Sequence, residues 1–219
     1  MNIEYRTFSE TGCMRENQDH IQVFVGKEKA AFILCDGMGG HAHGGLAAKI
    51  VATSIARDIK QNLPADRTGI HAMISRASWT LDTMADVYGG AEMGTTMVMA
   101  YIEGDDMTIM HCGDSRCYVC DADKNIKYVT ADHNAGDYVG APITRCFFSG
   151  QPEKAEPDVK TFKVAPGDRI FLCSDVVAPD ILRDRMMDDK PIEDIMDTFM
   201  FMCEKFSEDN YSGIMIKID

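Results

Sequence analysis

Apolar positions along this chain switch between two spacings, and the switches mark its elements. Ile3 to Phe8, Ile21 to Val25 and the unbroken run Ala30-Ala31-Phe32-Ile33-Leu34 read as strands, the last buried on both faces and ending at Cys35. From Leu46 the spacing lengthens: Leu46, Ile50, Val51, Ile55 and Ile59 share one face of a helix that Pro64 stops. A second helical pattern runs from Thr68 to Tyr88 and closes at Gly89-Gly90. Thr95 to Ile102, Met107 to His111, Arg116 to Cys120 and Ile126 to Thr130 return to strand. The turns Gly104-Asp105-Asp106 and Asp121 to Asn125 between them predict an antiparallel meander. Val159 to Val164 and Arg169 to Cys173 flank the turn Ala165-Pro166-Gly167-Asp168. Helical patterns over Val177 to Met187 and Pro191 to Phe206 precede a closing strand, Tyr211 to Ile218. Strands, a helix pair, more strands, a helix pair and one strand predict an α+β fold of two packed antiparallel sheets with helices outside. No linker, repeat or low-complexity block interrupts the pattern, so residues 1–219 read as a single domain.

Composition narrows the function classes. The 219 residues suffice for one well-buried core. A formal charge of −13 and a pI near 4.8 argue against a nucleic-acid surface. No apolar run approaches a membrane span and Met1 to Arg6 lacks a secretory start, so a soluble, cytoplasmic protein is expected. The eight cysteines are expected to be reduced thiols. Cys117 and Cys120 have a zinc-knuckle spacing, but on a strand they point to opposite faces and no second pair follows, so both read as core residues.

The candidate chemistry lies at strand ends. Cys35-Asp36-Gly37-Met38-Gly39-Gly40-His41-Ala42-His43 puts a carboxylate at the tip of the buried strand, on a backbone nearly free of side chains. That arrangement suits a hard cation carrying phosphate oxygens, although a plain strand-turn-helix junction explains the segment alone equally well. Ser174-Asp175 ends another core strand, and Asp209 precedes the last one. Arg15-Glu16-Asn17-Gln18-Asp19 places a cation and acids before the second strand. Several such acids meeting at one sheet end would repel one another unless a cation neutralised them.

Taken in order, these segments resemble the metal-dependent Ser/Thr protein phosphatases of the type 2C family, especially compact bacterial members. The resemblance rests on Thr11-Gly12 with Arg15 to Asp19, Asp36 to His41, Gly94-Thr95-Thr96, His111 to Arg116, Thr130 to His133, Ile143-Thr144-Arg145, Gly167-Asp168-Arg169, Ser174-Asp175 and Asp209-Asn210. It covers nearly the whole chain and implies a four-layer αββα sandwich, two antiparallel sheets flanked by helix pairs. It also implies two Mn²⁺ or Mg²⁺ ions, with a third, weaker one in bacterial relatives. Asp36 is expected to bridge the two ions, aided by the Gly37 carbonyl. Asp175 and Asp209 are expected to hold one ion, Asp19 to act through bound water and Asp132 to anchor the third. Arg15 is expected to clamp the substrate phosphate with its planar fork. Water activated between the ions would then hydrolyse phosphoserine or phosphothreonine without a phosphoenzyme. The implied partners are phosphorylated proteins and a cognate Ser/Thr kinase.

The sequence departs from the family at two places. Val176 stands where glycine normally follows Asp175, and the next aspartate, Asp180, comes one position late. The connection from His133 to Ile143 is short, where bacterial relatives carry a flap beside the groove. Met38 replaces a histidine found in many relatives outside bacteria, leaving His41 and His43 as the imidazoles near the metal loop. Ser174 reads as a core hydroxyl and Gly113-Asp114-Ser115-Arg116 as a structural turn with an internal Asp–Arg contact. Two rival readings remain open: a catalytically impaired relative that binds phosphoproteins or a partner, and a phosphatase of small phosphoesters.

Overall fold

The computed structural model describes residues 2–38, 43–61, 66–136, 141–175, 185–186 and 188–219. One five-stranded sheet carries, in spatial order, β1 (Ile3–Glu10), β12 (Tyr211–Ile218), β11 (Arg169–Cys173), β7 (Arg116–Cys120) and β8 (Ile126–Val129). The other carries β10 (Asp158–Lys163), β6 (Asp106–Cys112), β5 (Met97–Glu103), β3 (Lys29–Asp36) and β2 (Asp19–Val25). Every strand pairs antiparallel with its neighbours. A two-stranded ribbon of β4 (Gly94–Thr95) and β9 (Phe147–Phe148), too short to show a period in sequence, sits beside them.

Alternation along the strands builds the layers. Phe32, Leu34, Val98, Ile109, Val119, Leu172, Ile214 and Ile216 face inward and form the core between the sheets. The opposite face of the second sheet, including Ile33, Met97 and Met99, packs against Val51, Ile55 and Leu81 of α1 (Gly44–Lys60) and α2 (Arg67–Val87). On the first sheet Phe171 and Met215 pack against Ile195 and Phe199 of α3 (Ile192–Phe206). The rings of Phe171 and Phe199 meet edge to face at 5.1 Å. Burying each such side chain contributes on the order of 1.5–3 kcal/mol, so three stacked cores hold the sandwich. Asp66 caps α2, accepting the Gly69 N–H at 2.8 Å.

The α+β sandwich expected from the pattern is the fold observed, with one correction. The strands from β5 to β8 are not one meander. They form two hairpins in different sheets, β5–β6 in one and β7–β8 in the other. The chain crosses between sheets at Gly113, whose φ of 125° favours glycine and where a Cβ would lie 2.5 Å from the Thr96 Cβ. Cys117 falls in the inter-sheet core and Cys120 in the core under α3, and the eight cysteines, all among the described residues, form no disulfide. Most of the helix expected over Val177 to Met187 lies outside the described residues. Among the described residues no helix is long and apolar enough to cross a membrane.

Candidate active site

β3 ends in Asp36, which stands directly opposite Asp19 at the start of β2. Like charges in that position are unfavourable, so the pair needs a separate reason to exist. The backbone of Asp36 is fully engaged. Its N–H donates to Thr96 Oγ1 at 3.1 Å, and its carbonyl accepts the Thr96 N–H at 2.9 Å and the Thr95 hydroxyl at 2.8 Å. Thr96 is steadied in turn by Ser115, 2.6 Å away. At Gly37 an added Cβ would lie 2.3 Å from the carbonyl carbon of Gly44, so only glycine permits this approach of strand end and helix start.

The other acids reach the same place from the opposite sheet. Asp175 follows β11 through Ser174, which is wholly buried and accepts the Ser212 N–H at 3.0 Å. Asp209 precedes β12, and its Oδ1 accepts the Asn210 N–H at 2.7 Å. Electrostatics register the convergence. Burial pushes the Asp36 carboxyl well above the usual range, and the charges of Asp19, Asp175, Asp114 and Asp209 push it further. Asp19 is pushed up to about 6, first by burial and also by Asp175, against the opposing effect of the nearby Ser212 and Ser174 hydroxyls. Those hydroxyls lie close without giving either carboxylate oxygen a well-formed bond: both oxygens are buried and lack a hydrogen-bond partner. An all-oxygen acidic cluster around a buried Asp19 whose carboxylate oxygens lack a partner is a donor set that fits a hard divalent cation.

Two sequence expectations shift here. Asp132, expected at a third ion, is gripped by both prongs of Arg116, at 2.9 and 2.6 Å. The internal contact expected between Asp114 and Arg116 is replaced by that pair. Asp114 instead belongs with the acids, pushed up to about 6 by burial and by Asp175 and Asp132. Reading Asp114 as a turn residue missed it because its partners come from β3 and β11, remote in sequence. The Gly39 to Ala42 loop with His41, the positions Val176 and Asp180, and residues 137–140 of the short connection lie outside the described residues. The base of that connection is tight: Asn134 bridges Ile143 and the Ala135 N–H donates to the Pro142 carbonyl at 2.9 Å.

Arg15 is exposed on the loop between β1 and β2 and forms no ion pair among the described residues. Asn210 fastens that loop: its side chain donates to the carbonyls of Thr11 and Glu16 and accepts the Gln18 N–H, all within 2.9 Å. His43 packs its ring against Tyr88 at 4.9 Å. A cleft of about 410 Å³ opens beside Asp19, with Glu16, His20, His43 and Lys49 on its walls.

A second donor group, His111, His133 and Asp158, has its ligand-type atoms within 4.8 Å of one another. Its chemistry differs. His133 Nδ1 accepts the Gly113 N–H at 3.1 Å, which leaves the proton on Nε2, facing Asp158 at 3.1 Å. Arg145 already supplies Asp158 with a cation at 2.9 Å. His133 and Asp158 thus tie the Gly113 crossover to β10, while both ring nitrogens of His111 are buried without a hydrogen-bond partner.

A profile of the protein phosphatase 2C family matches residues 14–213. The Ser/Thr phosphatase stp of Listeria innocua is 24% identical over 249 residues, covering 99% of this chain and 96% of its own. The Ser/Thr protein phosphatase PstP of Mycobacterium tuberculosis is 25% identical over 217 residues that cover 90% of this chain, which spans 40% of PstP's length. Among solved structures, the Ser/Thr phosphatase Stp1 from Staphylococcus aureus superposes with a TM-score of 0.83 at 25% identity, over 100% of this chain and 96% of its own. M. tuberculosis PstP gives the same TM-score at 21% identity, over 99% of each chain, which speaks for the fold.

Proposed function

The chain belongs to the protein phosphatase 2C family, and from that premise we propose that it hydrolyses phosphoserine and phosphothreonine in proteins, through a single phosphatase domain over residues 1–219. The observation that carries the proposal is the meeting of Asp19, Asp36, Asp114, Asp175 and Asp209, in which burial and mutual repulsion push up the carboxyls of Asp19, Asp36 and Asp114.

In this reading Asp36, the Gly37 carbonyl, Asp175 and Asp209 would hold two Mn²⁺ or Mg²⁺ ions, with Asp19 acting through bound water. Asp114 with Asp175 would take the third-ion role expected of Asp132, which Arg116 occupies. When bound, the ions supply Lewis acidity toward water and phosphoryl oxygen. The chain's own groups do the rest. Asp36, its backbone locked by Thr95 and Thr96, fixes the line of approach to phosphorus. Asp19, buried at the start of β2 opposite Asp36, would hold and orient bound water. Arg15 directs its guanidinium fork at the phosphate and draws off charge as it grows on the equatorial oxygens. The short His133–Ile143 connection, in place of the flap of bacterial relatives, would widen the groove and weaken substrate selection without abolishing hydrolysis. A kinase in the same compartment, which we place in the cytoplasm, is the source of substrate.

The test is hydrolysis of an aryl phosphate and of phosphoserine and phosphothreonine peptides by EDTA-stripped protein, with and without millimolar Mn²⁺. Turnover that needs the metal and is lost in Asp36→Ala supports the reading. Folded, Mn²⁺-binding protein with no turnover replaces it with a phosphoprotein-binding relative. Turnover of small esters but no phosphopeptide replaces it with a small-molecule phosphatase.

A further inference from the structure

The second sheet ends at β10, whose outer edge is paired with no other strand among the described residues. Phe162 packs toward the other sheet, so by alternation Val159 and Thr161 face α2. Between that face and α2 lies a groove of about 800 Å³. Its apolar anchors are Trp79, 69% exposed, and Val159, 45% exposed. Its rim is acidic, carrying Asp82, Glu153, Glu156 and Asp158 against Arg67 and His71. Asp82 accepts the Gly150 N–H and Asp158 is paired with Arg145, whereas Glu153 and Glu156 are exposed and form no ion pair among the described residues. A free strand edge, alternate apolar anchors and uncompensated negative charge together select one occupant: an extended polypeptide with basic side chains.

The groove also points at the candidate active site. Asp158 lies opposite His111, one residue before β6 ends at Cys112, and Cys112 lies opposite Met97. Val98 lies opposite Leu34, so β10 begins at the same end of the sheet as Asp36. A strand added outside β10 lies four inter-strand spacings from β3, about 19 Å at ~4.8 Å each. Extended chain covers that in about six residues.

We propose that this groove binds a lysine- or arginine-bearing segment of the phosphoprotein substrate as an added strand, about six residues from the phosphorylated side chain. The proposal rests on the phosphatase reading above for the identity of the occupant. It makes the β10 edge a specificity determinant separate from the chemistry.

Trp79 is the only tryptophan of the chain, so its emission reports this groove alone. The first arm titrates metal-free Asp36→Ala protein with a hexapeptide alternating lysine with valine and isoleucine, and with its glutamate counterpart. The lysine peptide is expected to shift Trp79 emission saturably and to bind at least ten-fold tighter, a preference lost in Glu153→Lys/Glu156→Lys. No saturable shift, equal binding of the two peptides, or self-association of the protein at Trp79 without peptide overturns the proposal. The second arm measures kcat/KM of wild-type protein on phosphoserine peptides carrying either segment about six residues away. A ten-fold advantage for the lysine segment, lost in the double variant while aryl phosphate turnover is unchanged, supports it. Binding without any such advantage shows that the occupant is not substrate and overturns it. Lysine-peptide binding with no turnover of any phosphoester defeats the phosphatase reading alone and leaves the groove as a peptide site.

Discussion

Removing one charge from the acidic cluster should stabilise this protein when metal is absent. Asp19 is 8% exposed and its carboxyl is pushed from 3.8 up to about 6, burial being the first cause. Between those two values the folded protein holds a proton that the unfolded chain has lost. Stability therefore falls as pH rises through that window, and the full cost is present at neutral pH. A shift of about two units corresponds to ~3 kcal/mol. Asp19→Asn keeps the shape and discards the charge, so in EDTA at pH 7.5 its Tm should exceed wild type by roughly 6–12 °C for a domain of this size. The difference should shrink as pH is lowered and be mostly gone near pH 4, just above the unfolded-state value of 3.8. Mn²⁺ at about a hundred times the wild-type Kd should close most of the gap, since wild type gains about 2.7 kcal/mol and the variant gains less. Thermal unfolding followed by circular dichroism from pH 4 to 8 reads all of this. A metal-free Asp19→Asn protein that melts below wild type at pH 7.5, or whose advantage does not change with pH, refutes the repulsion argument.

Three further expectations test the supports of the site. Gly37→Ala forces a Cβ to within 2.3 Å of Gly44 backbone and should cost more than ~3 kcal/mol in denaturant unfolding, a loss that added Mn²⁺ does not restore. Asn210→Ala removes three hydrogen bonds to the Arg15 loop; a several-fold rise in KM with a destabilisation of about 2–4 kcal/mol is expected, and an unchanged KM would free Arg15 from its proposed role. Asp132→Asn should lower stability by breaking the two-pronged Arg116 pair yet leave the Mn²⁺ dependence of turnover unchanged, whereas Asp114→Asn should raise the Mn²⁺ needed for half-maximal turnover several-fold; isothermal titration of both variants separates them.

The strands and helices were legible because each buries one face against a core, and burial on one face imposes a period on the sequence that local reading recovers. The αββα layering followed from the order of those periods. Asp36, Asp175 and Asp209 were legible as candidates, since an acid at the tip of an apolar strand stands out against its neighbours, and all three do lie at strand ends. Sheet membership was not: β6 and β7 read as consecutive strands of one meander, and only packing sends them to opposite sheets through Gly113. The same limit hid that Asp132 pairs with Arg116 and that Asp114 lies among the acids, because those neighbours are set by packing. The β10 groove was invisible for a related reason, its walls being an α2 face and a strand edge some eighty residues apart in the chain. Periodicity records how each segment meets a core. Which segments meet one another is settled by the sum of contacts across the whole molecule, and that sum exists only in the tertiary structure.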